Sequence, residues 1–196
     1  MTRTRAAHLG PELRRPLILD AALPLFAGQG FDAVSMQAIA DAAGVSKPVL
    51  YSCFSSKEEL FDTLLRREDQ RLWDLVEAAL PEPTGDEDQE AVLRNGLTGL
   101  FRAVRTAPES FRVLYVEPPG EGRIERGRAH WQERITTIVV QRAELPEREA
   151  AVLGRLLVAA AELGIQIQLE TPDDWTPEEL AEFLARTLVR GMGATP

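Results

Sequence analysis

The sequence predicts an all-α protein. Apolar residues recur three and four residues apart along most of the 196 residues, which is the pattern of one face of a helix. Capping residues, glycines and prolines divide this pattern into segments of helical length. No segment shows the alternation of apolar and polar residues that marks a half-buried strand. These three observations together predict a series of helices and no sheet.

The composition is that of a folded chain, with 44% hydrophobic and 27% charged residues, and excludes a disordered or collagen-like class. Cys53 is the single cysteine, so an intramolecular disulfide is impossible and a reducing, cytoplasmic location is expected. The longest apolar region, residues 150–169, is interrupted by charged and amide side chains. It falls short of the roughly 18 uninterrupted apolar residues of a membrane span, so we expect no membrane partner.

The charge is unevenly distributed along the chain. Residues 1–57 carry six basic and four acidic side chains, a net charge of +2. Because the whole chain has a net charge of −9, the remaining residues carry −11. Such asymmetry is typical of a polyanion-binding N-terminal module on an acidic body.

Four helices are predicted in the first 80 residues. The first has an apolar face from Leu17 to Phe26 and should end at Gly28 or Gly30, with a kink expected at Pro24. The second should span residues 36–43 and begin at a Ser35 cap. The third is short and should be capped by Ser46. A capping box over residues 56–59 should open the fourth helix, residues 57–80.

The rest of the chain predicts five more helices after a linker. Residues 81–88 are polar and rich in helix breakers, which is typical of a linker. Thr176 and Glu179 form a second capping box around Pro177, which suits the first helical position. The predicted helices are 89–106, 108–116, 122–143, 146–170 and 176–191.

Residues 36–51 form a candidate DNA-binding motif. Two short helices joined by a tight turn pack steeply if the contact residue is small, as Ala40 is, and if the turn residue tolerates a left-handed backbone, as Gly44 does. Ile39, Val45 and Leu50 supply an apolar wedge between the helices. This pattern predicts a helix-turn-helix, in which the second helix enters the DNA major groove.

The residues around this motif extend the match. The segment of about residues 12–61 resembles the TetR (tetracycline-repressor-like) family of bacterial transcriptional regulators in the order and spacing of its residues. It covers roughly a quarter of the chain. The matching residues are Ile18-Leu19-Asp20-Ala21-Ala22, Leu25-Phe26, Gly30-Phe31, Ser35, Ile39-Ala40, Ala43-Gly44-Val45-Ser46, Leu50-Tyr51, Phe54, Lys57 and Glu59-Leu60.

The resemblance implies two domains, a helix-turn-helix DNA-binding domain at residues 1–56 and a regulatory and dimerisation domain at 81–196, with a connecting fourth helix at 57–80. It implies that Ser35, Tyr51 and Lys57 contact DNA phosphates, which set register rather than sequence preference. The candidate base-facing residues are Ser46, Lys47, Pro48, Val49 and Ser52. Two positions depart from the family pattern: Cys53 replaces a common phosphate-contacting histidine, and Pro24 interrupts the first helix.

The C-terminal domain carries two further candidate sites. The aromatic residues Phe101, Phe111, Tyr115 and Trp131 could line a pocket for a small, largely apolar effector, or could equally be plain core. The helix after Pro146 is rich in small residues and, with the last helix, resembles the dimer-forming pair of the family. The candidate dimer residues are Leu153, Leu157, Phe183 and Leu184.

These observations favour a homodimeric repressor that a small effector releases from a palindromic operator in double-stranded DNA. The alternative is a helix-turn-helix regulator without such an effector, controlled by a protein partner or by oxidation of Cys53. No nucleophile–base pattern or metal-ligand cluster stands out, so we expect neither an enzyme nor a bound metal or cofactor.

Overall fold

In the computed structural model, residues 10–79, 88–114, 123–143 and 145–190 are described, and all regular structure within them is helical. The all-α prediction is therefore confirmed. From α2 onward, helix ends agree with those expected to within one residue wherever both lie in these ranges, whereas α1 continues past the end expected at Gly28 or Gly30 to Ala33. Most of the expected linker, Leu80, and the ends expected at 116 and 191 lie outside them. The helices are α1 (Pro11–Ala33), α2 (Met36–Ala43), α3 (Lys47–Cys53), α4 (Lys57–Ala79), α5 (Gln89–Thr106), α6 (Pro108–Leu114), α7 (Arg123–Ala143), α8 (Glu147–Glu170) and α9 (Pro177–Arg190).

The interruption of α1 lies at a glycine and not at a proline. Pro16 and Pro24 both lie inside the helix, and its only non-helical backbone angles are those of Gly30, with φ 77° and ψ 169°. The backbone angles therefore stay helical at Pro24, while the break expected at Gly30 is confirmed. A positive φ is strained for residues with a Cβ, so glycine is the residue that allows the chain to turn here.

The chain divides into two compact units. Unit 1 comprises residues 1–71 and 109–121, and unit 2 comprises residues 72–108 and 122–196. The division falls inside α4, and α6 belongs to unit 1. These are spatial groupings, so the functional division at residues 56 and 81 stays a prediction.

Unit 1 has a core built around three phenylalanines. The ring of Phe61 packs edge-on against Phe26 and Phe31, with centroids 4.7 and 5.1 Å away, and all three rings are buried. Val113 of α6 joins this core. An aromatic cluster buries a large apolar area and adds directional edge-to-face contacts, so it fixes α1 against α4.

Unit 2 depends on close backbone approach to α8. A Cβ on Gly164 would lie 2.1 Å from Cζ of the buried Phe101 of α5, and one on Gly154 would lie 2.4 Å from Oγ1 of Thr136 in α7. Small residues let helices pack at short distance, as the sequence of α8 predicted. The close packing at these two glycines therefore locks α8 to its neighbours.

The two predicted capping boxes differ in detail. At α9 the box is reciprocal: the Glu179 N–H donates to Thr176 Oγ1, while the Thr176 N–H and hydroxyl both donate to Glu179 Oε2. At α4 the Glu59 N–H donates to Ser56 Oγ, but the Glu59 carboxylate accepts from the N–H and hydroxyl of Ser55. These hydrogen bonds lower the pKa of Glu59 and of Glu179 below the ordinary value of 4.5.

Candidate nucleic-acid interface

The two helices of the predicted motif are fixed by their caps. Ser35 Oγ accepts from the Ala38 N–H at 3.1 Å and so caps α2. Gly44 ends α2 with φ 64° and ψ 29°, and the next residue, Val45, donates its N–H to Ala40 O at 3.0 Å. This left-handed C-cap reverses the chain within three residues. The turn of a helix-turn-helix is therefore formed as expected.

The helix α3 has one buried and one exposed face. Leu50 and Cys53 are buried in unit 1, with exposed fractions of 0% and 4%. The opposite face carries most of the predicted base-facing and phosphate-facing side chains. Of these, Ser46, Lys47, Pro48, Tyr51 and Ser52 are exposed, and Val49 is half-buried.

The hydrogen bonding of two serines differs from what the sequence indicates. Ser46 stands at the N-cap position of α3, but its side chain makes no capping hydrogen bond, so the expected cap is wrong in that respect. The Ser52 hydroxyl donates to Val49 O within its own helix, at 2.7 Å. Both side chains nevertheless lie on the exposed face.

Lys57 is held inside unit 1. Its Nζ donates to the carbonyl oxygens of Phe31 and Val34, each at 2.9 Å, and lies 4.3 Å from the centroid of the Phe31 ring. An ammonium group has three N–H donors, so these contacts use two of them. The expected phosphate contact would depend on the third.

The described candidate ligand-binding residues have different surroundings. Phe101 is buried against Gly164 in unit 2, whereas Phe111 is buried in unit 1. Trp131 is half-buried and packs edge-on against Trp73, with centroids 5.3 Å apart. Tyr115 lies outside the described residues.

A groove of about 670 Å³ lies between α5 and α9 of unit 2, and none of the four candidates lines it. Its walls carry two ion pairs, Arg94 with Glu182 at 3.3 Å and Arg102 with Glu178 at 2.6 Å. Among the described residues, no cluster of His, Cys, Asp and Glu could hold a metal ion.

The candidate dimer residues differ in exposure. Leu184 is buried within its own chain, Leu153 and Leu157 are half-buried, and Phe183 is 43% exposed. The exposed apolar stripe of α8 lies one position earlier, with Val152, Leu156 and Leu163 at 68%, 50% and 51% exposure and the exposed Ala159 among them. Sequence reasoning missed this stripe because α8 has apolar residues on almost every side.

The helix α8 is long and apolar enough to cross a membrane by length and composition, and 28% of its most apolar window is buried within the chain. We did not expect this property from the sequence, because residues such as Arg155 and Glu162 interrupt the apolar region. A single such helix is a poor indicator of a membrane protein, because helices that pack against other protein surfaces share it.

The geometry of α2, Gly44 and α3, with a polar exposed face on the second helix, defines a helix-turn-helix transcriptional regulator. A family profile described as "Bacterial regulatory proteins, tetR family" matches residues 18–64. The solved structure of a TetR-like transcriptional regulator from Rhodococcus sp. RHA1 is similar over 96% of this chain and 100% of that chain, with a TM-score of 0.77 and 26% identity. Residues 18–64 therefore match the TetR family of transcriptional regulators, and the whole chain resembles a TetR-like regulator in fold.

Curated relatives match only part of the chain. The activator FasR of Mycolicibacterium smegmatis is 37% identical over 111 residues, which cover 57% of this chain and 49% of that protein. The repressor KstR2 of Rhodococcus jostii is 46% identical over 57 residues, which cover 29% of this chain and 28% of that protein. The chain spans about half or less of the length of the curated relatives it matches.

Proposed function

We propose that this protein is a homodimeric repressor that works in the cytoplasm and binds a palindromic operator through α3. The exposed face of α3, which combines two serines, a lysine and a tyrosine hydroxyl over a buried Leu50, is the observation that carries this proposal. Lys47 and the serines contact base edges, while Ser35, Tyr51 and the third donor of Lys57 contact phosphates. Val49 and Pro48 contribute apolar contacts to the groove.

The second copy of the chain covers the apolar stripe of α8 together with Phe183 of α9. Leu153 and Leu157 lie at the edge of this surface. A dimer of this kind places two copies of α3 in successive major grooves, about 34–36 Å apart or a multiple of that distance. Because a two-fold dimer reads two equal half-sites, the operator is a palindrome.

The effector is a small, largely apolar molecule bound in unit 2. Phe101 and Trp131 lie in α5 and α7 there, and the ring of Phe101 fills the space that a side chain at Gly164 would take. The helix α4 contributes residues 57–71 to unit 1 and 72–79 to unit 2, so a shift of α4 on effector binding would move the DNA-binding helices. A coupling of about 1–3 kcal/mol is enough to lower operator affinity about 5–150-fold.

The repressor role is the one named for KstR2, whereas FasR is named an activator. The alternative control by oxidation of Cys53 finds little support, because that thiol is only 4% exposed. Control by a protein partner instead of an effector is excluded if a pocket ligand changes operator affinity.

Selection of bound sequences from a random DNA pool tests the central proposal. A palindromic consensus, bound more weakly as salt is raised, is the expected result. Enrichment of no sequence would overturn the DNA-binding role. A ligand screen by thermal shift, followed by operator binding with each hit, then tests release. A tight unit 2 ligand that left operator affinity unchanged would overturn the effector mechanism for that ligand.

A further inference from the structure

Lys57 stands at a position that does not suit its own helix. It is the first residue of α4, and the N-terminal end of a helix is electrostatically positive, which favours acidic residues such as the following Glu58 and Glu59. The dipole of α4 therefore does not favour a lysine at this position. Its partners lie elsewhere in unit 1.

Those partners are the last carbonyl groups of α1. Phe31 O lies just after the break at Gly30, and Val34 is the C-cap residue that follows α1. The last carbonyls of a helix have no partner within the helix, and a cation at this end is favourable. The Lys57 ammonium satisfies two of them from 26 and 23 residues away in the sequence.

The same contact lies directly before the start of α2. Val34 is followed directly by Ser35, which caps α2, so the Lys57 ammonium is bound one residue before the start of the helix-turn-helix. Phe31, whose ring lies beneath the ammonium, also packs against Phe61 of α4. The corner between α1 and α2 is thus held to α4 by one charged group and one ring contact.

We propose that Lys57 is a positioning residue, which acts by fixing the corner between α1 and α2 and thereby the direction of α2 and α3. This inference rests on the proposed DNA-binding function, and it adds a role to the phosphate contact that the family resemblance implies. Loss of the ammonium group lets the corner move, so operator recognition suffers more than general attraction to DNA.

The variant Lys57→Met tests this role, because methionine keeps an unbranched apolar stem and removes the three donors. We expect Tm to fall by about 4–8 °C. The Ala38 amide, which donates to Ser35 Oγ, should exchange its hydrogen faster. Well below Tm, operator affinity should fall about tenfold more than affinity for random DNA, because direct readout depends on the helix direction.

The matched control is Arg15→Met. Arg15 also joins α1 to α4, through an ion pair with Glu59 at 3.2 Å and a contact with the Phe54 ring at 4.4 Å, but it does not touch the corner. It should lower Tm without changing the ratio of operator to random affinity or the exchange of the Ala38 amide. The two variants therefore separate loss of stability from loss of positioning.

Three results would overturn the proposal. An unchanged Tm and exchange rate in Lys57→Met, with equal losses on both DNAs and a salt slope lower by about one, would leave Lys57 only a phosphate contact. If Lys57→Met lowered Tm but left the ratio of operator to random affinity unchanged, Lys57 would be a merely structural residue. The same would follow if Lys57→Met and Arg15→Met changed the exchange of the Ala38 amide equally. If the wild-type protein selected no sequence, the proposed function would fail, and the Tm and exchange measurements would still decide whether Lys57 holds the corner.

Discussion

Two helices of this protein present exposed faces of opposite chemistry. The exposed face of α3 in unit 1 carries hydroxyls and one ammonium group, whereas that of α8 in unit 2 carries Val152, Leu156, Ala159 and Leu163. Both helices bury their other face in their own unit. The polar face is well hydrated in water. The aliphatic face is not, and burying its four side chains would be favourable because it removes apolar surface from water.

The contrast teaches where each partner can bind. Hydroxyl and ammonium groups can exchange hydrogen bonds with water for those with base edges and phosphates, so α3 suits a polyanion. Aliphatic side chains gain free energy only by leaving water, so α8 suits a protein surface. One chain therefore carries a helix suited to DNA and a helix suited to a protein surface, in separate units.

The largest effect is expected from a charge on α8. Leu156→Asp should turn dimers into monomers or aggregates at micromolar concentration and reduce operator affinity roughly 100-fold or more, because an unpaired buried carboxylate costs about 3–5 kcal/mol. Sedimentation velocity and operator titration measure the two effects.

The matched control for that variant is Leu75→Asp on α4. Leu75 is 48% exposed, close to the 50% of Leu156, but lies on another helix. It should remain dimeric. A wild-type protein that sediments as a monomer at micromolar concentration would contradict the assignment of α8 to the dimer.

The next largest effect is expected on α3. Lys47→Ala should lower operator affinity by about 1–3 kcal/mol and relax preference at one or two base pairs, if its ammonium group contacts a guanine edge. Repeating the sequence selection with the variant measures this change. Equal losses on operator and random DNA would show that Lys47 contacts phosphate only.

The buried side of α8 predicts a smaller change. Gly164→Ala should destabilise unit 2 by about 1–3 kcal/mol, because its Cβ would overlap the Phe101 ring. Gly127→Ala in α7, where a Cβ would meet no atom within 4 Å, should instead stabilise by up to about 1 kcal/mol. Denaturant unfolding followed by tryptophan emission compares the two. Equal changes would contradict the close packing of α8.

The smallest effect concerns acid. The Thr176 and Ser55 hydrogen bonds lower the pKa of Glu179 and Glu59 in the folded state. The stability they contribute is therefore complete above pH 4.5 and is lost as the pH falls through the lowered values. Glu179→Gln should remove a small part of this acid sensitivity, measurable as Tm against pH. The same slope in variant and wild type would contradict the contribution of the α9 cap.

The sequence predicted local features well. The bounds of α2 and α5 and the cap at Thr176 depend on residues within four positions of each other, which is the range over which capping and periodicity act. The helix-turn-helix followed from the same short-range signals, because Gly44 and its neighbours determine the turn.

Long-range contacts were not predictable in this way. Nothing near Lys57 in sequence indicates that its ammonium group binds carbonyls 23 and 26 residues earlier. For a related reason the sequence did not indicate the exposed apolar stripe of α8, which lies one residue before the predicted dimer residues Leu153 and Leu157. When a helix is apolar on nearly every side, its periodicity does not reveal which face its own chain covers.

All three tryptophans of the chain, Trp73, Trp131 and Trp175, belong to unit 2. The Trp73 ring meets Trp131 edge-on and has the Arg134 guanidinium 3.5 Å from its centroid, an arrangement that affects the emission of an indole. Intrinsic fluorescence excited at the red edge of the absorption band therefore reports on unit 2 alone. Far-ultraviolet circular dichroism reports on every helix. A melting experiment that records both signals from one unlabelled sample would reveal whether unit 1 and unit 2 unfold together or in turn.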